Sequence, residues 1–384
     1  MPKNRPSQKK RNEAKYARIR TERAIRENDT AKRVVDDDSL DFAAKIDRLA
    51  EVRRWFSADT TIINQYMLGE LTTAETVVIL AAPIDKAYSS ADFGRQYHEQ
   101  ERIARIQRKY HSPEKAIEMW GPEQNFPEPQ AEYDPSKSTE MLLWDLWYAI
   151  LHAAKRITFT DEIQHQKLVS LVKALKARPN PPIPEPMTIP LRRSWIWGSG
   201  TVWSDLIVLG ISVAEVSNDT CGCGAGWLWP EQRAWENLCS FMARLTAGGV
   251  VDLHNSGVQS VVALEQTPSP GSLRIPPPPA IEISSHKVTS AALWTIIAGK
   301  EVYREFPDAR DERDIQVVDK IMGLRDDQLP WRRSLKKYKG RARWETARKE
   351  FARRRFEVES QNEELSLEVR QLAAKAAKAM TSFV

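Results

Sequence analysis

The chain has 384 residues, 41% hydrophobic and 28% charged, enough for one large domain or two ordinary ones with a real core. Its longest apolar runs, TVVILAAPI at 76–84 and LIVLGISVA at 206–214, reach about half of a spanning helix, and the basic start lacks an apolar signal core. Neither a membrane span nor a secretory signal is therefore expected, and three cysteines, an odd number in a chain too large to need staples, fit an intracellular protein, cytoplasmic or nuclear.

Charge is unevenly placed. The net +5 divides into +8 for residues 1–35, −11 for 36–330, +10 for 331–355 and −2 for 356–384. Residues 1–38 read as a basic extension, helical or disordered, with too few apolar anchors to contribute to a core. SLDFAAKIDRLAEVRRWF then has Phe42, Ile46, Leu49, Val52 and Phe56 at helical spacing behind Ser39, a capping type. Asp36, Asp37 and Asp38 precede it, at the positive end of a helix dipole. Thr72 and Glu75 form a capping box ahead of Val77, Val78 and Ile84. Residues 89–119 read as a long polar helix, interrupted near Pro113. Two further helices begin at Ser138 and Thr160.

RPNPPIPEPMTIP, with six prolines between Pro179 and Pro190, cannot be helical and reads as an extended connection; a second proline stretch covers 268–279. Between them, TVWSDLIVLGISVAEV, AWENLCSFMARL and SGVQSVVALEQ read as helices, and HKVTSAALWTIIAGKEVYREF follows. Strand signals are poor and no fixed repeat is visible. The expected architecture is all-α: one large multi-helical domain over 39–330, a basic extension before it and a basic helical region, 331–384, after it.

The cysteines lie together in NDTCGCGAGWLWPEQRAWENLCSFMARL, residues 218–245. Cys221-x-Cys223 could give a zinc ion two ligands, but Cys239 falls on the stripe Trp235, Leu238, Cys239, Met242, Leu245, where a free cysteine acts as a small hydrophobe. Gly222, Gly224 and Gly226 resemble a phosphate loop but follow no strand and do not open directly into a helix. The stretch reads as a loop running into a core helix, with Pro230 in its first turn. No metal and no cofactor are expected. Asp145, His152 and Arg156 share a helix face, which reads as a polar edge, since no nucleophile or oxyanion donor accompanies them. Phe351, Val358, Leu365, Leu372 and Ala379 recur every seven residues behind a basic run, a coiled-coil pattern interrupted by Gly340 within that run.

The tryptophan motifs LLWDLWYAILHAAK, VWSDLIVLG, AWENLCSFMARLTAGGVVDL and AALWTIIAGKEVY together resemble a family of fungal proteins known only as a domain of unknown function. In that family the third motif reads Trp, any residue, Asn-Leu-Asn-Ala-Phe, then Ala-Arg-Leu-Thr. Trp235, Asn237, Leu238, Phe241, Ala243, Arg244, Leu245 and Thr246 fit, while Cys239 and Ser240 depart. Ile207 stands where the family has Pro. The resemblance covers about residues 39–305 and implies an all-α fold and an intracellular protein, with no activity attached.

The reading that follows is a non-catalytic helical interaction or scaffold protein with a protein partner. An alternative is nuclear nucleic-acid binding through the basic ends, Lys9, Lys10 and Arg11 with Arg332, Arg333, Lys336 and Lys337. A second alternative is an enzyme with a pocket at Asp205, Asn237 and Arg244, the pair Asp205–Arg244 being buried. No known catalytic motif supports enzymatic activity.

Overall fold

The computed structural model describes residues 8–121, 123, 134–184, 201–265, 278–304 and 341–382. All regular structure among them is helical: no strand forms beyond an isolated bridge between Cys221 and Ala225. The all-α expectation holds. The chain divides into two compact units, one formed by both ends, Met1–Trp55 with Asn218–Val384, the other by the continuous segment Phe56–Ser217.

The two-ended unit contains α1 (Gln8–Val35), α2 (Phe42–Arg53), α10 (Trp229–Ala247), α11 (His254–Ala263), α12 (Ala280–Tyr303), α13 (Arg341–Gln361) and α14 (Leu367–Met380). α12 is its centre and packs against α10, α11 and α14. Trp294, Phe241, Leu245 and Phe356 are fully buried there. Gly257 lets α11 approach closely, since a Cβ would lie 2.5 Å from Val302 and 2.7 Å from the Trp294 ring. Such contacts force a backbone shift or an off-rotamer side chain.

Two expectations are corrected in this unit. α2 is capped by Asp41, whose carboxylate accepts from Ala44 N at 2.8 Å, and not by Ser39. Asp37 instead holds Ser39 through its N–H and its hydroxyl, which lowers the Asp37 pKa. The N-terminal segment is not wholly outside the core: Ala31 is fully buried, and Val34 and Val35 pack against the cluster of Ile46, Leu49, Ala50 and Trp55. The described part of the C-terminal region forms two helices. α13 stops at Gln361, α14 starts behind its Ser366 cap, and the two pack on each other. Leu365 then lies in the connection and Val358 is 51% exposed, so the seven-residue seam is no common interface.

The continuous unit contains α3 (Thr61–Leu68), α4 (Thr73–Ser89), α5 (Arg95–Arg108), α6 (Pro113–Trp120), α7 (Thr139–Arg156), α8 (Glu162–Lys176) and α9 (Leu209–Val216). The Thr72–Glu75 capping box is present at α4, and Ser138 caps α7 as its hydroxyl position requires. Asp161, not Thr160, caps α8. The two tryptophan motifs of this unit serve packing and backbone pairing. Trp147 is fully buried and donates from Nε1 to the Ile207 carbonyl at 2.7 Å. Trp203, also fully buried, donates to Asp85 at 2.7 Å, and Arg178 holds the other oxygen of that carboxylate at 2.6 Å.

VWSDLIVLG is therefore not a helix over its length. Residues 202–208 form turns, Leu206 and Val208 have φ of 48° and 72°, and helix begins only at Leu209. Positive φ is strained for such residues, and the Trp147 and Asn180 hydrogen bonds hold the turn. Proline positions 185–190 and 268–277 lie outside the described residues.

Candidate functional site

The loop before α10 brings together a buried set of charged groups in the two-ended unit. Pro230 sits in the first turn of the helix, and Glu231 at its third position turns back, accepting from Leu228 N at 3.0 Å and Gly226 N at 2.9 Å. The same carboxylate meets Arg53, from the end of α2, through Nε at 2.5 Å and Nη2 at 3.3 Å. Arg53 Nη2 also donates to Asn28 at 2.7 Å, and Nη1 reaches Glu27 at 3.4 Å, both on α1. The Arg53 and Glu231 side chains have no solvent exposure. Gly226 must be glycine here, because a Cβ would lie 2.3 Å from Arg53 Nη2 and 2.4 Å from a Glu231 oxygen.

This geometry explains the glycine-rich stretch. A phosphate loop offers free backbone N–H groups to an external anion. In this loop the N–H groups of Gly226 and Leu228 are taken by an internal anion, the Glu231 carboxylate. Gly222 adopts φ 82°, and Gly224 donates to the Asn218 carbonyl at 2.6 Å, with no room there for a Cβ. The glycines therefore allow a tight loop to seat one arginine–carboxylate pair.

A second group adjoins on α10. Glu236 contacts His286 Nδ1 of α12 at 3.2 Å and Arg233 at 3.5 Å, and Arg233 reaches Glu368 of α14 at 2.8 Å. The Trp227 ring meets His286 edge-on, with centroids 5.9 Å apart. These pairs link α10 to α12 and to α14. Burial, with the Glu231 and Glu236 carboxylates, pushes the half-buried Cys221 thiol well above its usual range. Cys239 is buried on the face the stripe indicated, and burial pushes its thiol up to about 12, against the pull of Trp294, Ser290 and Ser260 beside it. Among the described residues no three His, Cys, Asp or Glu side chains are grouped so as to hold a metal ion.

Asp205 lies in the continuous unit, in the turns before α9, and is exposed; Asn237 and Arg244 lie on α10 of the other unit. Asn237 is fully buried. Arg244 is half-buried in the last turn of α10 and donates to Ser240 at 3.2 Å. An exposed Asp205 cannot form the buried pair expected with Arg244. Of the basic patch, Lys9, Lys10 and Arg11 fall in α1, and Arg332, Arg333, Lys336 and Lys337 lie outside the described residues. Asp145 is partly exposed and His152 buried on α7; the part of the Asp145 carboxyl turned from water has its pKa raised by desolvation.

Arg53, Glu27 and Asn28 carried no signal in the sequence. Arg53 and Glu231 are 178 positions apart, and only the adjacency of α2 and α10 brings them together.

The family model described as "Protein of unknown function (DUF3632)" matches residues 147–358, more than half of the chain. The chain belongs to this family. The match holds three of the four tryptophan motifs entire, and the loop and helix that carry Glu231, Glu236 and Cys239; α1, α2 and Arg53 precede it. No curated protein and no solved structure matches the chain.

Proposed function

We propose that this DUF3632 protein is a non-catalytic helical interaction protein whose partner is another protein. The observation that carries the reading is on α5. Ile103 and Ile106, with Tyr110 just past the helix end, stand at helical spacing on one face and are 41%, 46% and 81% exposed. Ile117 of α6, which packs on α5, is 54% exposed. Single exposed apolar side chains are ordinary, but neighbouring ones on one helix face mark a contact surface. The Arg53–Glu231 pair is buried and its two charges answer one another, which suits stability and not turnover. An enzyme at Asp205, Asn237 and Arg244 gains no such support, since Asn237 is buried and Arg244 binds Ser240.

Among the described residues no helix is long and apolar enough to cross a membrane. An intracellular place, cytoplasmic or nuclear, is part of the proposal, supported by three cysteines that remain free thiols. So is the fungal source that the family resemblance implies. The test is a photo-crosslinking residue at Tyr110 in the full chain, in its native cell. A discrete protein adduct that disappears in Ile103→Lys and Ile106→Lys variants is expected. Adducts indifferent to those changes would remove the reading.

A further inference from the structure

A second surface lies on α1. Its last turns are tied down by Ala31, Val34, Val35 and the Arg53 contacts to Glu27 and Asn28. Residues 15–23 are exposed at every position, so this part of the helix buries no face of its own. Isolated helices of such length are marginal in water, and packing normally stabilises them. Over residues 15–26, five basic side chains, Lys15, Arg18, Arg20, Arg23 and Arg26, oppose one acidic side chain, Glu22, which pairs with Arg18 at 2.8 Å.

We propose that the exposed half of α1 binds duplex DNA through backbone phosphates, lying in the major groove. At 3.6 residues per turn, Lys15, Arg18 and Arg26 form one stripe, which also holds Glu22, and Arg20 and Arg23 form another, roughly 120° around the helix from the first. Ile19 falls between the stripes. A helix with side chains is about 10–12 Å across and the major groove about 12 Å wide, so two stripes reach the two phosphate walls. Ile19 then faces the base edges, where an apolar side chain can meet thymine methyl groups. Four of the five cations are arginine, whose planar fork suits phosphate oxygens. A bilayer surface would need one continuous apolar face, and Ile25 lies on the far side of the helix from Tyr16 and Ile19.

The test uses the full chain and a fluorescent DNA duplex of about 20 base pairs, sized to span the major groove along the helix, titrated over a range of salt concentrations. A parallel quadruple variant carries Arg18→Gln, Arg20→Gln, Arg23→Gln and Arg26→Gln, exposed changes whose fold is checked by circular dichroism. The wild-type affinity should fall steeply with salt, and the variant should bind at least ~10-fold more weakly with a slope smaller by about 3–4. Equal affinity of variant and wild type overturns the proposal. So does wild-type preference for polyglutamate, or for an A-form RNA duplex, whose major groove is too narrow for a helix. The crosslink at Tyr110 is read on the same variant: its survival when DNA binding fails separates this proposal from the protein-partner reading.

Discussion

Arg53 and Glu231 show why a buried charge pair is a poor measure of net stability yet a sensitive point. Removing both charges from water is costly, and the pair offsets this only with nearly every hydrogen-bonding position filled. Glu27, Asn28, Gly226 and Leu228 fill them. Arg53→Ala leaves the Glu231 carboxylate buried without its cation, and a loss of about 3–5 kcal/mol in urea unfolding is expected. With Glu231→Gln added, which keeps an acceptor for the two N–H groups, the combined loss should be smaller than the sum of the singles. Additive losses in that cycle would show that the two groups do not act as a pair. The cysteines supply a second residue-scale check. Thiolate is the reactive form, Cys223 is exposed, and burial raises both Cys221 and Cys239. Native protein at pH 8 should react quickly with a thiol reagent at Cys223 alone, and at all three sites after denaturation; fast labelling of Cys239 would contradict its place in the core.

Elements were legible where a local rule decides them, and less so where tertiary contacts do. The capping box at Thr72, the Ser138 cap and the apolar stripe carrying Cys239 follow from neighbours three or four positions away. Residues 202–208 have helical-looking periodicity, but Trp147 and Asn180 hold them in turns instead. α1 looked like a tail because its few anchors, Ala31, Val34 and Val35, sit at one end of a charged run. Deleting residues 1–23 should therefore leave the melting temperature unchanged. Deleting 1–35 should lower it by about 5 °C or more, since apolar anchors and two partners of Arg53 go with it. An unchanged midpoint in the longer deletion would return α1 to the status of a free extension. At the start of α11, Asp252 binds Arg304 at 2.7 Å as well as His254, and these bonds bring its pKa from 3.8 to about 2. A depressed folded pKa gives stability that is present above the unfolded value and lost as pH falls towards 2. Asp252→Asn should remove that part of the acid sensitivity between about pH 4 and 2, modestly, because the carboxylate is half exposed.

At the scale of the whole chain, the two units and the family match place their boundaries differently, and this yields a test. The matched segment starts at residue 147, inside α7, and so omits α3, α4 and half of α7. Those parts supply Ile63, Ala81, Ile84 and Leu143 to the core, and Asp85 to Trp203. The hydrogen bonds that hold Trp147 and Trp203 all run within Phe56–Ser217. The two-ended unit is the reverse case: Arg53 and Glu231 belong to separate stretches of sequence. A sequence reading sees apolar spacing inside each stretch but not a pairing across 178 positions, which is why the Arg53 contacts were missed. A fragment of residues 56–217 should accordingly unfold cooperatively by circular dichroism. Residues 147–358 should not, because the cut strips Trp147 and Trp203 of their neighbours and leaves Glu231 without Arg53. Residues 218–384 alone should be poorly ordered and should gain a cooperative transition when joined through a flexible linker to residues 1–55. A cooperative 147–358 fragment, or a 56–217 fragment that melts without a transition, would show that the cores are not divided as the contacts divide them.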